Sequence, residues 1–179
     1  MASLLNWAIL QSPRLVRFFM NRYAPLRGAG IRVTEVAPDF KRMVLELPLT
    51  AGNRNIMGTQ FGGSLYAMAD PFFVLMLMRN LGRRYLVWDQ AATVEFVAPG
   101  KGRVRGVYEI SDEALNDIER QAASGQKVLH TFNATIAHVS DGTPVARVQK
   151  VIYVRLRKEF RPHQDVSAQA NAESEGPTS

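Results

Sequence analysis

The run SLYAMADPFFVLMLMRNLG, residues 64–82, is the only long apolar segment of the chain, and the glycine pair Gly62-Gly63 opens it. Leu65, Met68, Ala69, Phe72, Phe73, Met76 and Leu77 cover too wide an arc for a helix with one wet face, so a helix here has to be buried on most sides. Only a sheet that curves around it can supply that cover. Asn80 and Gly82 provide the C-terminal stop.

The segments on either side read as such a sheet. Ile31 and Val33 alternate with Arg32 and Thr34; after a Pro38-Asp39 turn, Met43, Leu45, Leu47 and Leu49 alternate with Val44, Glu46 and Pro48. Tyr85 to Ala98 is a Val-, Thr-, Trp- and Phe-rich strand closed by Pro99-Gly100, and Arg103 to Ile110 forms another. Ser111, Asp112 and Glu113 cap a short helix carrying Leu115, Ile118 and Ala122. Val128 to Val139 and Val145 to Leu156 are long strands joined at Asp141-Gly142, a hairpin dipeptide. In the last strand Lys150 is the one charged residue on the apolar face.

These elements predict an α+β fold, a curved antiparallel sheet around a long central helix. Strands that come in short-turn pairs disfavour a doubly wound parallel sheet. The expected division is an N-terminal amphipathic helix over 1–29, started at Pro13, a wrapped-sheet domain over 30–158, and a disordered polar tail over 159–179. The apolar N-terminus has no basic leader and no cleavage site, and no run approaches the ~18 residues of a membrane span, so the chain reads as cytoplasmic without stable membrane insertion.

Cysteine is absent, which removes disulfides, thiolate metal sites and a cysteine nucleophile. There is no Walker loop, no G-x-S-x-G elbow and no zinc-type histidine spacing. His130 and His138 share a strand face with Phe132 and Ile136 and have no ligand cluster beside them, so no metal is expected. The net charge of +6 favours anionic partners without choosing among them.

The segment NRNIMGTQFGGSLYAMADPF, residues 53–72, concentrates the chemistry. A helix opened by Gly62-Gly63 presents unpaired N–H groups and a positive dipole end, and glycines let an acyl carbonyl approach closely, as in an oxyanion hole. Asp70 lies two helical turns past Gly63, on the same face. Among Met68, Phe72 and Phe73 its carboxylate is expected to be desolvated, which favours a base. The other reading of Asp70-Pro71 is an N-cap and N1 pair that starts a helix. Asn55 could bind a carbonyl or a water, or brace its own turn; Thr59 and Gln60 could donate similarly.

The same segment resembles the loop and helix start of hotdog-fold thioesterases, in particular the phenylacetyl-CoA thioesterase-like group and its DUF4442-type relatives. In that family an asparagine stands six positions before the histidine of a His-Gly-Gly, and an acidic residue nine after it; Asn55, Gly62, Gly63 and Asp70 fall in those places. The position of the histidine holds Phe61, a departure from the pattern.

The resemblance implies a hotdog fold and a homodimer or dimer of dimers, with acyl-CoA or a related thioester as substrate and no cofactor beyond the substrate's own CoA. Catalytic roles would fall to Asp70, as base or nucleophile, with Gly63 and Asn55. Gly62, Thr59, Gln60, Phe61 and Tyr66 would contact substrate, with Phe72 and Phe73 completing an acyl pocket. Asp89, ten positions before Pro99, would reach the thioester from the partner subunit, and Thr93 and Glu95 are expected on its strand face. Arg83, Arg84, Lys101, Arg103 and Arg105 are candidates for CoA phosphates. A non-catalytic acyl-CoA-binding protein is the alternative; a dehydratase would need a histidine near the helix, and none is there. No nucleic-acid partner is expected.

Overall fold

The structure, a computed structural model, describes residues 8–162; the part of the expected tail from 163 onward lies outside the described residues. Helix α1 (Pro13–Met20) starts at Ser12, whose hydroxyl accepts from the Leu15 N–H. It stops at Met20, well short of the expected end near residue 29. The reason is Asn21, whose side chain accepts from the Val33 N–H at 2.8 Å and donates to the Val33 carbonyl at 2.9 Å, pinning the helix end to the first strand. A second short helix, α2 (Ala24–Ala29), follows.

Strands β1 (Arg32–Val36), β2 (Arg42–Leu47), β3 (Tyr85–Phe96), β4 (Val104–Glu109), β5 (Val128–His138) and β6 (Pro144–Leu156) form one six-stranded antiparallel sheet. Its order is β1-β2-β4-β5-β6-β3, so β3 is an open edge. The hairpins sit where alternation placed them. Helix α5 (Asp112–Ala122) is capped as expected by Ser111, which accepts from the Ala114 N–H at 3.2 Å.

The central helix comes in two pieces, α3 (Gly62–Ala67) and α4 (Phe72–Leu81). The sequence reads as one helix through Pro71, with a start at Asp70-Pro71 as the other reading. Proline has no N–H and its ring excludes the carbonyl four residues back, and here the consequence is a full break. The Ala69 and Asp70 N–H groups close α3 on the Tyr66 and Ala67 carbonyls, at 2.9 and 3.3 Å, and the Asp70-Pro71 bond is cis.

Phe72, Phe73, Met76 and Leu77 of α4 are wholly buried against the sheet, with Phe73 stacked on Phe132 at 4.8 Å between ring centres and edge-on to Tyr108 at 5.3 Å. The opposite face, Pro71, Leu75 and Met78, meets Val16, Phe19 and Met20 of α1 across an apolar groove. Sheet on one side and α1 on the other bury this helix on most sides, as its composition required. The hotdog arrangement follows. Of the residues expected to line an acyl pocket, Phe72 and Phe73 pack wholly in the core, whereas Phe61 and Tyr66 are exposed.

Candidate active site

The loop from Pro48 to Phe61 builds itself from its own amides. Asn53, 6% exposed, donates to the Pro48 carbonyl at 2.7 Å and accepts from the Thr50 N–H at 2.7 Å. Asn55 accepts from the Met57 and Thr59 N–H groups at 2.9 and 3.1 Å and donates to the Thr59 hydroxyl at 3.0 Å. Gln60 is buried and donates to the Leu47 and Gly102 carbonyls, both at 3.0 Å, so it clasps the end of β2 to the β3–β4 turn. Gly100 is glycine for that reason: a Cβ there would sit 2.7 Å from the Gln60 Cγ. In this geometry Asn55, Thr59 and Gln60 hold the loop, and their polar atoms point into it.

The loop delivers Phe61 as the residue before α3. The Phe61 carbonyl takes the Ser64 and Leu65 N–H groups, at 3.0 and 3.2 Å, leaving the Gly62 and Gly63 N–H groups without a backbone acceptor among the described residues. The Phe61 ring lies over Gly63, where an added Cβ would meet it at 2.3 Å. Phe96 of β3 packs on Gly62. A cleft of about 400 Å³ opens beside this helix start, lined by Ala29, Gly52, Asn53, Arg54, Phe61 and Gly63 among others. Tyr66, largely exposed, donates its hydroxyl to the Ala92 carbonyl at 3.2 Å and ties α3 to the open edge strand.

Asp70 occupies the helix break and is exposed; Met68, Phe72 and Phe73 turn into the core instead of around it. It makes no cap for α4, whose preceding residue is Pro71 without a side-chain hydrogen bond. Its carboxyl instead lies within hydrogen-bonding reach of the Asp89 carboxyl of the same protomer. The expected arrangement, with Asp89 arriving from a partner, is therefore not needed to bring two carboxyls together.

Asp89 is carried to this position by a bulge. In the β3–β6 ladder Asp89 stands opposite Ile152 and Ala91 opposite Val151, so Gln90 is an extra residue and the inward parity changes. Asp89 faces inward with Val87, whereas Thr93 and Glu95, three and five pairs further on, stand opposite Gln149 and Arg147 on the outer face. Their expected place on the strand face of Asp89 is corrected by that one residue.

Lys150 completes the group. It is 5% exposed, and its Nζ lies 3.1 Å from the Asp89 Oδ1. The contact lacks the alignment of a hydrogen bond; the attraction between the charges depends on the distance and survives that misalignment. Burial raises the Asp89 carboxyl from 3.8 to about 6; the hydrogen bond with Asp70 adds to the rise and the Lys150 ammonium opposes it. The desolvated carboxyl of the site is thus Asp89. The signal for Lys150 was present in the sequence as a charge on an apolar face, but the bulge that gives it a partner was not.

The basic residues scatter. Arg103 and Arg105 pair with Glu46, at 3.3 and 2.7 Å, and the Arg157 side chain holds the Arg83 carbonyl. The His138 ring meets the Pro99 carbonyl at 3.3 Å, and the His130 ring lies tilted against Phe132, 4.5 Å between ring centres. Among the described residues no helix is long and apolar enough to cross a membrane.

Residues 12–154 match the family model described as a domain of unknown function, DUF4442. Among solved structures, a Pseudomonas aeruginosa protein of unknown function, described as a probable thioesterase, is 22% identical, with a TM-score of 0.71 over 82% of this chain and 99% of that one. A thioesterase family protein from Silicibacter pomeroyi is 16% identical, with a TM-score of 0.58 over 79% and 96% of the two chains. The Escherichia coli PaaI protein from the phenylacetic acid degradation operon is 16% identical, with a TM-score of 0.56 over 79% and 91%. No curated protein matches.

Proposed function

This chain belongs to the DUF4442 family, and we propose that it is a thioester hydrolase acting on acyl-CoA or a related thioester in the cytoplasm. The observation that carries this reading is the exposed Asp70 carboxyl, placed beside Asp89, which Lys150 pairs with, just past the end of a short helix whose first N–H groups lack backbone acceptors among the described residues. Free N–H groups suit the oxyanion of a tetrahedral intermediate, and an ionised carboxylate suits either attack on the carbonyl or activation of a water. The thioesterase descriptions of the structural neighbours support the same class of reaction. Release of free thiol from acyl-CoAs of graded chain length, and from aromatic acyl-CoAs, tests it.

Gly63 and Asp70 of one protomer cannot serve one carbonyl. Gly63 lies in the first turn of α3 and Asp70 three residues past its last, so they stand at opposite ends of the helix, on the order of 10 Å apart. A homodimer, in which one copy supplies the N–H donors and the other the carboxylate, resolves the distance, and the open edge of β3 offers the surface for it. Gly63→Val, which drives a side chain into the Phe61 ring, and Asp70→Asn are each expected to be nearly inactive. Co-expressed in equal amounts they are expected to recover roughly a quarter of wild-type activity, since half the dimers are mixed and one of the two sites in each is intact. No recovery would mean that each site is built within one protomer.

The pH profile follows from the carboxyl pair. Below about 6 Asp89 takes up a proton, and the carboxylate charge that stands beside Asp70 is lost. kcat/KM is therefore expected to fall as pH drops through that value; a rate flat from pH 7 to 5 would remove the pair from the chemistry.

One observation favours a second reading. The Phe61 ring covers the backbone at Gly63, where a carbonyl would have to approach. A protein that binds acyl-CoA without hydrolysing it would show saturable binding of a CoA thioester, no thiol release, and no gain of turnover in Phe61→His.

A further inference from the structure

Lys150 stands in the middle of β6 on the face that packs against the central helix, where the neighbours in its own strand, Val148 and Ile152, are 2% and 0% exposed. Opposite it on β5 is Phe132, and on β3 Ala92. An ammonium costs several kcal/mol to hold in such surroundings and is retained where a charge compensates it. Asp89 Oδ1, at 3.1 Å, is the only ion-pair partner of Lys150 among the described residues. The long side chain thus ends at a carboxyl whose other neighbour is Asp70.

We propose that Lys150 is a positioning residue of the active site: its buried ammonium holds the Asp89 carboxylate in place beside Asp70 and compensates its charge. The logic is electrostatic. Two carboxyls within hydrogen-bonding reach do not both ionise readily, and one retains a proton unless a cation offsets the second charge. Lys150 is that cation. The charged groups acting on Asp89 are Asp70, from the helix break, and Lys150, from β6. On β5 the nearest titratable residue of the inner face is His130, opposite Ile152; burial lowers its pKa and Asp117 opposes the change. On β3 itself the inward neighbours Val87, Ala92 and Val94 are apolar.

The proposal deepens the reading of Asp70 as the base, and its test has one readout that needs no turnover. Asp carboxyl carbons are labelled with ¹³C and titrated by NMR in the wild type and in Lys150→Met, with Asp89→Asn to assign its signal. Removing the ammonium is expected to move the Asp89 midpoint upward by about one pH unit or more, the size of effect an opposite charge at this distance exerts. The acid limb of kcat/KM should move up with it, with KM little changed. Lys150→Arg, which keeps the charge, is expected to hold both near the wild-type values. If Lys150→Met does not fold, Lys150→Gln is read in the same way. An Asp89 midpoint unmoved by loss of the cation, or one moved equally by the arginine variant, would overturn the role given to Lys150. Absence of turnover in every form, with the midpoint moving as expected, would instead sink the hydrolase reading and leave the charge relation standing.

Discussion

Asp70→Asn is expected to lower kcat/KM for thioester hydrolysis by about 10² to 10⁴-fold, the range a positioned base or nucleophile contributes, while the affinity for a non-hydrolysable acyl-CoA analogue stays within a few-fold of wild type. The substitution removes the charge and the proton acceptor but keeps the size and shape of an exposed side chain, so the fold has little reason to respond. It also removes the like charge beside Asp89, leaving Lys150 to compensate a single carboxylate. The thiol-release assay and a calorimetric binding measurement on the same preparation check both halves of the expectation. Retained turnover would take Asp70 out of the chemistry; lost binding with lost turnover would make it a substrate ligand.

The positions of Asp70 and of the Gly62-Gly63 helix opening are legible in the sequence, and what is not legible has a common physical cause. The buried helix and the six strands follow from periodicity, because apolar content over a dozen residues averages away single exceptions. Asp70, Gly62 and Gly63 stood out because few backbone or side-chain chemistries suit an apolar helix opening. The features that decide the geometry depend on single residues instead. Gln90 is an unremarkable glutamine, yet as the extra residue of a bulge it turns Asp89 inward and sends Thr93 and Glu95 outward. Pro71 signalled a disturbance, but whether a helix bends or stops there is set by what receives the next carbonyl, and that is a tertiary matter. The roles of Asn55 and Gln60 were open for a related reason. An amide in a glycine-rich loop can serve ligand or loop, and only the positions of the Leu47, Thr59 and Gly102 partners decide it.

Asp89→Leu is expected to destabilise the fold by about 3 kcal/mol, the lower end of the cost of breaking a buried ion pair, because it strands the Lys150 ammonium among apolar side chains. The lower end applies since the Asp89 side chain keeps 27% of its exposure, against 6% for Lys150. The double variant Asp89→Leu, Lys150→Met removes both charges and is expected to recover most of that loss, as paired charges replaced together by apolar groups often do. Urea unfolding of the three proteins measures the difference. A pH series adds a sign that packing alone does not produce. In the wild type the folded chain holds a proton on Asp89 that the unfolded chain has released between 3.8 and about 6, so this residue makes stability fall as pH rises through that window. The double variant should lose that slope. If it recovers stability, loses the slope and still fails to hydrolyse thioesters, then Asp89 and Lys150 are kept for the chemistry at Asp70, since the fold can dispense with them. A double variant as unstable as Asp89→Leu alone would mean that the pair shapes the strand edge, and that the bulge at Gln90 depends on it.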